Sequence, residues 1–136
     1  MIRSFIKNHF WKFVMFCFVG LTATLIHIGV FNLFRFFLSF SFIIAVLSGV
    51  FVSIIYNFLM NRTFTFKAKD NAIKKQLPRF LIIYTVSITV NITTALLVNL
   101  ILGAGVLKEN IATISGIILS IPFSFFGSLL WAFKKD

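Results

Sequence analysis

Four long apolar runs separated by polar breaks set the plan of this chain, at residues 13–34, 42–60, 80–102 and 111–131. Each lies close to the roughly 17–25 residues that an α-helix needs to cross a bilayer, so the pattern predicts four transmembrane helices. The breaks at 35–41 and 103–110 leave room only for tight turns between antiparallel neighbours, which makes the chain two helical hairpins. Between them lies a longer polar stretch, 61–79, that opens with NRTFTFKAKD, alternating polar and aromatic positions and rich in lysine. The first run follows Arg3, Lys7 and Lys12 in the manner of a secretory signal. It is longer than a signal core of about 7–15 residues and no small-x-small cleavage site follows, so it is read as a retained span.

Shifting the sequence by 67 residues lays the second hairpin on the first without a gap. Thr22, Asn32 and Leu33 meet Thr89, Asn99 and Leu100, and Ala45, Ser48, Gly49, Ser53 and Phe58 meet Ala112, Ser115, Gly116, Ser120 and Phe125. About 14 of 56 positions agree, some three times what the biased composition alone supplies. The copies are 12–67 and 79–135, joined by a linker at 68–78. The shift pairs NRTFTFK with SLLWAFK, so the polar stretch begins as a helix-exit element that recurs at the C-terminus. Both copies run in the same sense, as in transporters built from parallel repeats. Small residues four apart, Ala45, Gly49 and Ser53 and again Ala112, Gly116, Ser120 and Ser124, mark faces on which helix backbones approach closely.

Composition excludes a water-soluble domain. Residues are 60% hydrophobic with 20 Phe, and the mean hydropathy is +1.03. The single Cys17 lies in an apolar run, so no disulfide framework or cysteine metal site is available. Lysine and arginine gather in the N-terminus (Arg3, Lys7, Lys12), in the central stretch (Arg62, Lys67, Lys69, Lys74, Lys75, Arg79) and in the C-terminus (Lys134, Lys135), against Arg35 and Lys108 in the other connections. The positive-inside rule then puts both termini and the central stretch in the cytoplasm. The net charge of +10 falls on that face and draws anionic membrane lipids. A nucleic-acid partner would need this charge on a soluble face, and there is none.

Candidate chemistry is sparse. His27 is the one ionisable group deep in a span, and such groups face a bundle interior or cavity. Thr22, Thr24, Asn91, Thr93 and Thr94 lie at comparable depths and supply either its partners or a polar cleft. Tyr56, Asn57, Asn61 and Arg62 cluster at the end of the second span, with Asn57 and Asn61 on one helix face. Arg62 is suited either to snorkelling or to bidentate phosphate recognition. Phe64, Phe66, Trp131 and Phe133 read as an interfacial aromatic belt. Pro122 removes one helix bond in the fourth span. Acidic residues are limited to Asp70, Glu109 and Asp136, all outside the spans, and no catalytic, cofactor or metal motif appears. That also argues against a small multidrug exporter, which needs a membrane-embedded carboxylate.

Four segments, KFVMFCFVGLTATLIHIGVFNLF, SIIYNFLMNRTFTFK, RFLIIYTVSITVNITTALLVNLI and SIPFSFFGSLLWAFKK, together resemble the GtrA-like family from Lys12 to Lys135. The most specific piece is the N-R-x-[FW]-x-F exit signature. The resemblance implies one GtrA-like domain over 1–136, an all-α integral membrane protein of four helices in a bacterial cytoplasmic membrane. It implies translocation of a polyprenyl-phosphate-linked sugar for glycosylation of a cell-surface polysaccharide such as teichoic acid or O-antigen. The alternative it carries is a membrane scaffold for a polyprenyl-phosphate glycosyltransferase. In this setting Arg62 is expected on the phosphate and Asn61, Asn57, Tyr56, Thr24, His27 and Asn91 on the sugar. His27 stands where the family frequently has an acidic residue, and GSLLWAF lacks the Asn-Arg pair, which assigns the headgroup to the first hairpin. Four helices are few to enclose a sugar path, so a homo-oligomer or a complex with the glycosyltransferase is expected.

Overall fold

The computed structural model describes residues 2–134, which fold as four helices, α1 (Ile2–Asn32), α2 (Phe42–Met60), α3 (Ile73–Leu102) and α4 (Val106–Gly127), with no strand among them. All four contain stretches long and apolar enough to cross a membrane, and the protein is a multi-pass membrane protein. The chain divides into two compact units, Met1–Lys69 and Asp70–Asp136, each a hairpin. Hydroxyls along the helices close on their own backbone. Thr24 donates to the Gly20 carbonyl, Ser53 to Val50, Thr85 to Leu81, Thr89 to Thr85 and Ser115 to Ile111, all at 2.8–3.0 Å. That is how polar side chains are tolerated where lipid offers no hydrogen bond.

In the first hairpin α1 begins well ahead of its apolar run. No Gly or Pro interrupts residues 2–19, so the helix propagates outward from the membrane-spanning part. Its 31 residues measure about 46 Å at 1.5 Å per residue, against a hydrocarbon core of about 30 Å. α1 widens into a π turn, Leu33–Phe37, and Ser41 then caps α2 by accepting the Ile44 N–H. The small-residue stripe of α2 is buried. Ala45 is fully covered, and a Cβ placed on Gly49 would stand 2.8 Å from the His27 carbonyl oxygen, so backbone meets backbone there.

In the second hairpin α3 starts at Ile73, taking in residues that composition assigned to a linker. Pro78 leaves the Lys74 carbonyl without its helix bond, and Lys74 and Lys75 oppose the helix dipole by about 0.3–1 kcal/mol each. The turn is held by burial of Gln76 and Phe80, by Asn71 Nδ2 donating to the Lys134 carbonyl (2.7 Å), and by Arg79 Nη1 donating to the Trp131 carbonyl (3.4 Å). Gly103 (φ 81) and Gly105 (φ 138) make the return to α4 in backbone conformations that side chains disfavour. α4 continues through Pro122 to Gly127.

The two copies correspond, with a register difference that identity does not reveal. α2 and α4 keep the step of 67: Ala45 and Ala112, Gly49 and Gly116, Phe58 and Phe125 are all buried. α1 and α3 follow a step of 64. Val19 and Ala23 are buried, and so are Ile83 and Ser87. Gly49 abuts His27 whereas Gly116 abuts Asn91, and Phe66 packs on Phe16 (6.1 Å) whereas Phe133 packs on Phe80 (5.9 Å). Relative to the first hairpin, the second is longer by about one helical turn, inserted around the glycine return.

Candidate functional site

The stretch NRTFTFKAKD is a widened helix exit at the open end of the first hairpin, where α1 begins and α2 ends. Residues Asn61–Thr65 form a π turn, after which the Phe66 N–H reaches the Asn61 carbonyl (2.9 Å) and the Ala68 N–H reaches that of Arg62 (2.8 Å). Lys67 (φ 50) supplies the left-handed residue that lets the chain close this way. The same closure follows α1, where Ser39 (φ 57) stands between bonds from Leu38 to Leu33 and from Phe40 to Phe34. Ser128–Ala132 is again a π turn, 67 residues on from Asn61–Thr65. The extra residue per turn rotates the side chains so that Asn61, Thr65, Phe66 and Ala68 are buried while Phe64, Lys67 and Lys69 stay outside. The aromatic belt is therefore only half of what the sequence suggests. Phe64 and Trp131 are exposed, whereas Phe66 and Phe133 fill the hairpin ends.

Tyr56, Asn57, Asn61 and Arg62 come together on the last turns of α2 and its exit. The Tyr56 hydroxyl crosses to α1 and donates to Thr22 Oγ1 (3.0 Å), and Asn61 Nδ2 donates to Asn57 Oδ1. Asn61 is fully buried, yet its Oδ1 has no hydrogen-bond partner. Arg62 is half-buried and gives Nη2 to the Lys69 carbonyl at 2.6 Å, tying down the chain that carries Lys67. In the second hairpin the positions of Tyr56 and Thr22 are taken by Phe123 and Val86, so this polar crossing belongs to the first copy alone.

The other expected residues lie elsewhere. His27 is half-buried against Gly49, seven residues before Tyr56 and so about 10 Å along α2. Its ring makes no hydrogen bond among the described residues, so the threonines expected to satisfy it do not. Thr24 is exposed and closed on its own helix. Asn91 belongs to the second hairpin, where it meets Gly116 as His27 meets Gly49. These two are thus equivalent positions, which the step of 67 conceals.

Thr65 escaped the sequence reading. Its side chain is 3% exposed and its hydroxyl has no partner. The signal that points to this end is an absence: residues 1–69 carry Arg3, Lys7, Lys12, Arg35, Arg62, Lys67 and Lys69 and not one Asp or Glu. Buried acceptors and a uniformly cationic end suit an anion that also brings hydroxyl donors. Among the described residues no group of His, Cys, Asp or Glu is placed to hold a metal ion.

Residues 15–133 match the model of one family, the GtrA/DPMS transmembrane domain. No curated protein and no solved structure matches the chain.

Proposed function

Because the chain belongs to the GtrA/DPMS transmembrane domain family, which is linked to translocation of sugar-phosphate-polyprenols, we propose that it flips a polyprenyl-phosphate-linked sugar across the bacterial cytoplasmic membrane. The product serves glycosylation of a cell-surface polysaccharide such as teichoic acid or O-antigen. The observation that carries this reading is the open end of the first hairpin, cationic, free of carboxylates and holding buried polar atoms without partners. In this proposal Arg62 meets the phosphate and Asn61, Asn57 and Tyr56 meet sugar hydroxyls. His27 and Asn91 offer polar contacts deeper in each hairpin, and Thr24 offers one on the exposed face of α1. Oligomerisation, or a complex with the glycosyltransferase, completes the path.

A second reading rests on the exposed lysines Lys67, Lys69, Lys74 and Lys75, a basic stretch of chain on which a polyprenyl-phosphate glycosyltransferase could dock. Deleting the protein separates the two. Under the transport reading, polymer glycosylation is lost while the polyprenyl-phosphate sugar accumulates in the cell, and under the scaffold reading that lipid falls as well. Normal glycosylation in the deletion strain would remove both.

The proposed orientation is checked by cysteine labelling in intact cells in a Cys17→Ala background. A cysteine at position 70 should resist impermeant reagents and one at position 39 should react. Labelling of position 70 from outside would reverse the assignment.

A further inference from the structure

A groove of about 780 Å3 runs along the first hairpin between the start of α1 and the exit turn of α2. Lys12, Trp11, Met15 and Phe18 of α1 line it together with Phe64, Thr65 and Lys67 of the exit turn. The hairpin that builds it has no carboxylate, so Lys12 and Lys67 have no acidic partner within it. Thr65, whose hydroxyl is buried without a hydrogen-bond partner, is one of the lining residues.

In the register established above, Lys12, His9 and Thr65 correspond to Gln76, Ile73 and Ala132, while Lys67 corresponds to Lys134. The second hairpin has a groove of about 570 Å3 at other positions, equivalent to 18–22 and 55–64 of the first, lined by Val86, Phe123, Phe126 and Leu130 among others and without a charged side chain. Of the two lysines, Lys12 is particular to the first copy and Lys67 is shared with the second.

We infer that this groove binds a phosphate-bearing amphiphile, with the phosphate on Lys12 and Lys67 and the hydrocarbon against Met15 and Phe18. Ammonium donors complement phosphate oxygens, and the apolar side chains beside them suit a hydrocarbon tail. Resting on the transport reading, the groove is the position where a lipid-linked phosphate waits on the first hairpin before engaging Arg62. An anionic phospholipid carries the same chemistry and is the other source to test.

Trp11 is a built-in reporter, since the only other tryptophan is Trp131. The full chain carrying Trp131→Phe is titrated in neutral detergent with farnesyl phosphate, with phosphatidylglycerol and with farnesol. A saturable change in Trp11 emission with farnesyl phosphate alone supports the inference and identifies an isoprenyl phosphate. Saturation by phosphatidylglycerol at similar or lower concentration also supports the site and assigns it to the phospholipid headgroup. Lys12→Gln combined with Lys67→Asn, the latter chosen because Asn tolerates the left-handed backbone, should weaken binding by about tenfold or more at an unchanged melting temperature. Lys12→Arg should keep most of it. No saturable response to either phosphate, an equal response to farnesol, or unchanged affinity in the double variant would overturn the inference. The assay reads binding alone, so a negative result alongside lost glycosylation in the deletion strain would leave the transport reading standing.

Discussion

Gly49→Ala and Gly116→Ala are each expected to destabilise the protein by about 1–3 kcal/mol, the cost of forcing atoms into a packed contact. Gly20→Ala is expected to move stability the other way by up to about 1 kcal/mol, the helix-propensity gain of alanine. The same chemical change has opposite signs because the space differs. A Cβ at Gly49 stands 2.8 Å from the His27 carbonyl oxygen, and at Gly116 it presses on the Asn91 carbonyl and side-chain oxygens, whereas at Gly20 nothing lies within 4 Å. A backbone carbonyl cannot swing aside as a side chain can, so the helices of the hairpin must part. In a membrane no hydrophobic effect compensates for that separation, because helix association depends on close packing. Thermal unfolding of the three variants in detergent, with accumulation in the membrane as a second readout, checks the prediction. Equal midpoints for all three would mean that the close approach carries no stability.

Hydropathy made the four spans legible because a bilayer demands long apolar runs. It said little about where helices end, since a helix with no Gly or Pro propagates past the apolar part, as α1 does from Ile2. Between α1 and α3 the identities point to a step of 67 where packing has 64, for a physical reason as well. Lipid-facing positions accept Phe, Ile, Leu or Val alike, so identities there carry little positional information, and Thr22 with Thr89 agree in type but not in place. Burial and contact recover the true step: Val19 and Ala23 go with Ile83 and Ser87, and His27 goes with Asn91. The corrected register also explains paired losses, for where Tyr56 and Thr22 bond in one hairpin, Phe123 and Val86 line a groove in the other. Of the candidate site, the cluster from Tyr56 to Arg62 was legible as polar residues at a span's end. Thr65 and Lys67 were not, because alternation in TFTFK does not disclose a π turn.

Arg62→Lys is expected to accumulate and melt like the wild type yet to lose polymer glycosylation by roughly tenfold to a hundredfold. The structure sharpens why this substitution discriminates. Arg62 has a structural task, the 2.6 Å bond from Nη2 to the Lys69 carbonyl, and that bond needs one N–H on a cationic stem, which lysine supplies. Proposed recognition of a phosphate needs the planar fork with two parallel donors, which lysine lacks. One charge-assisted bond is worth about 1.5–3 kcal/mol, and that sets the expected loss. Arg62→Met then serves as the opposite control: it keeps the apolar stem, releases the Lys69 carbonyl, and should lower the melting temperature as well as activity. The measurement is polymer glycosylation in a deletion strain complemented at matched protein levels. Full activity in Arg62→Lys, with loss only in Arg62→Met, would reduce Arg62 to a clamp that positions Lys67, and would move phosphate recognition to Lys12 and Lys67.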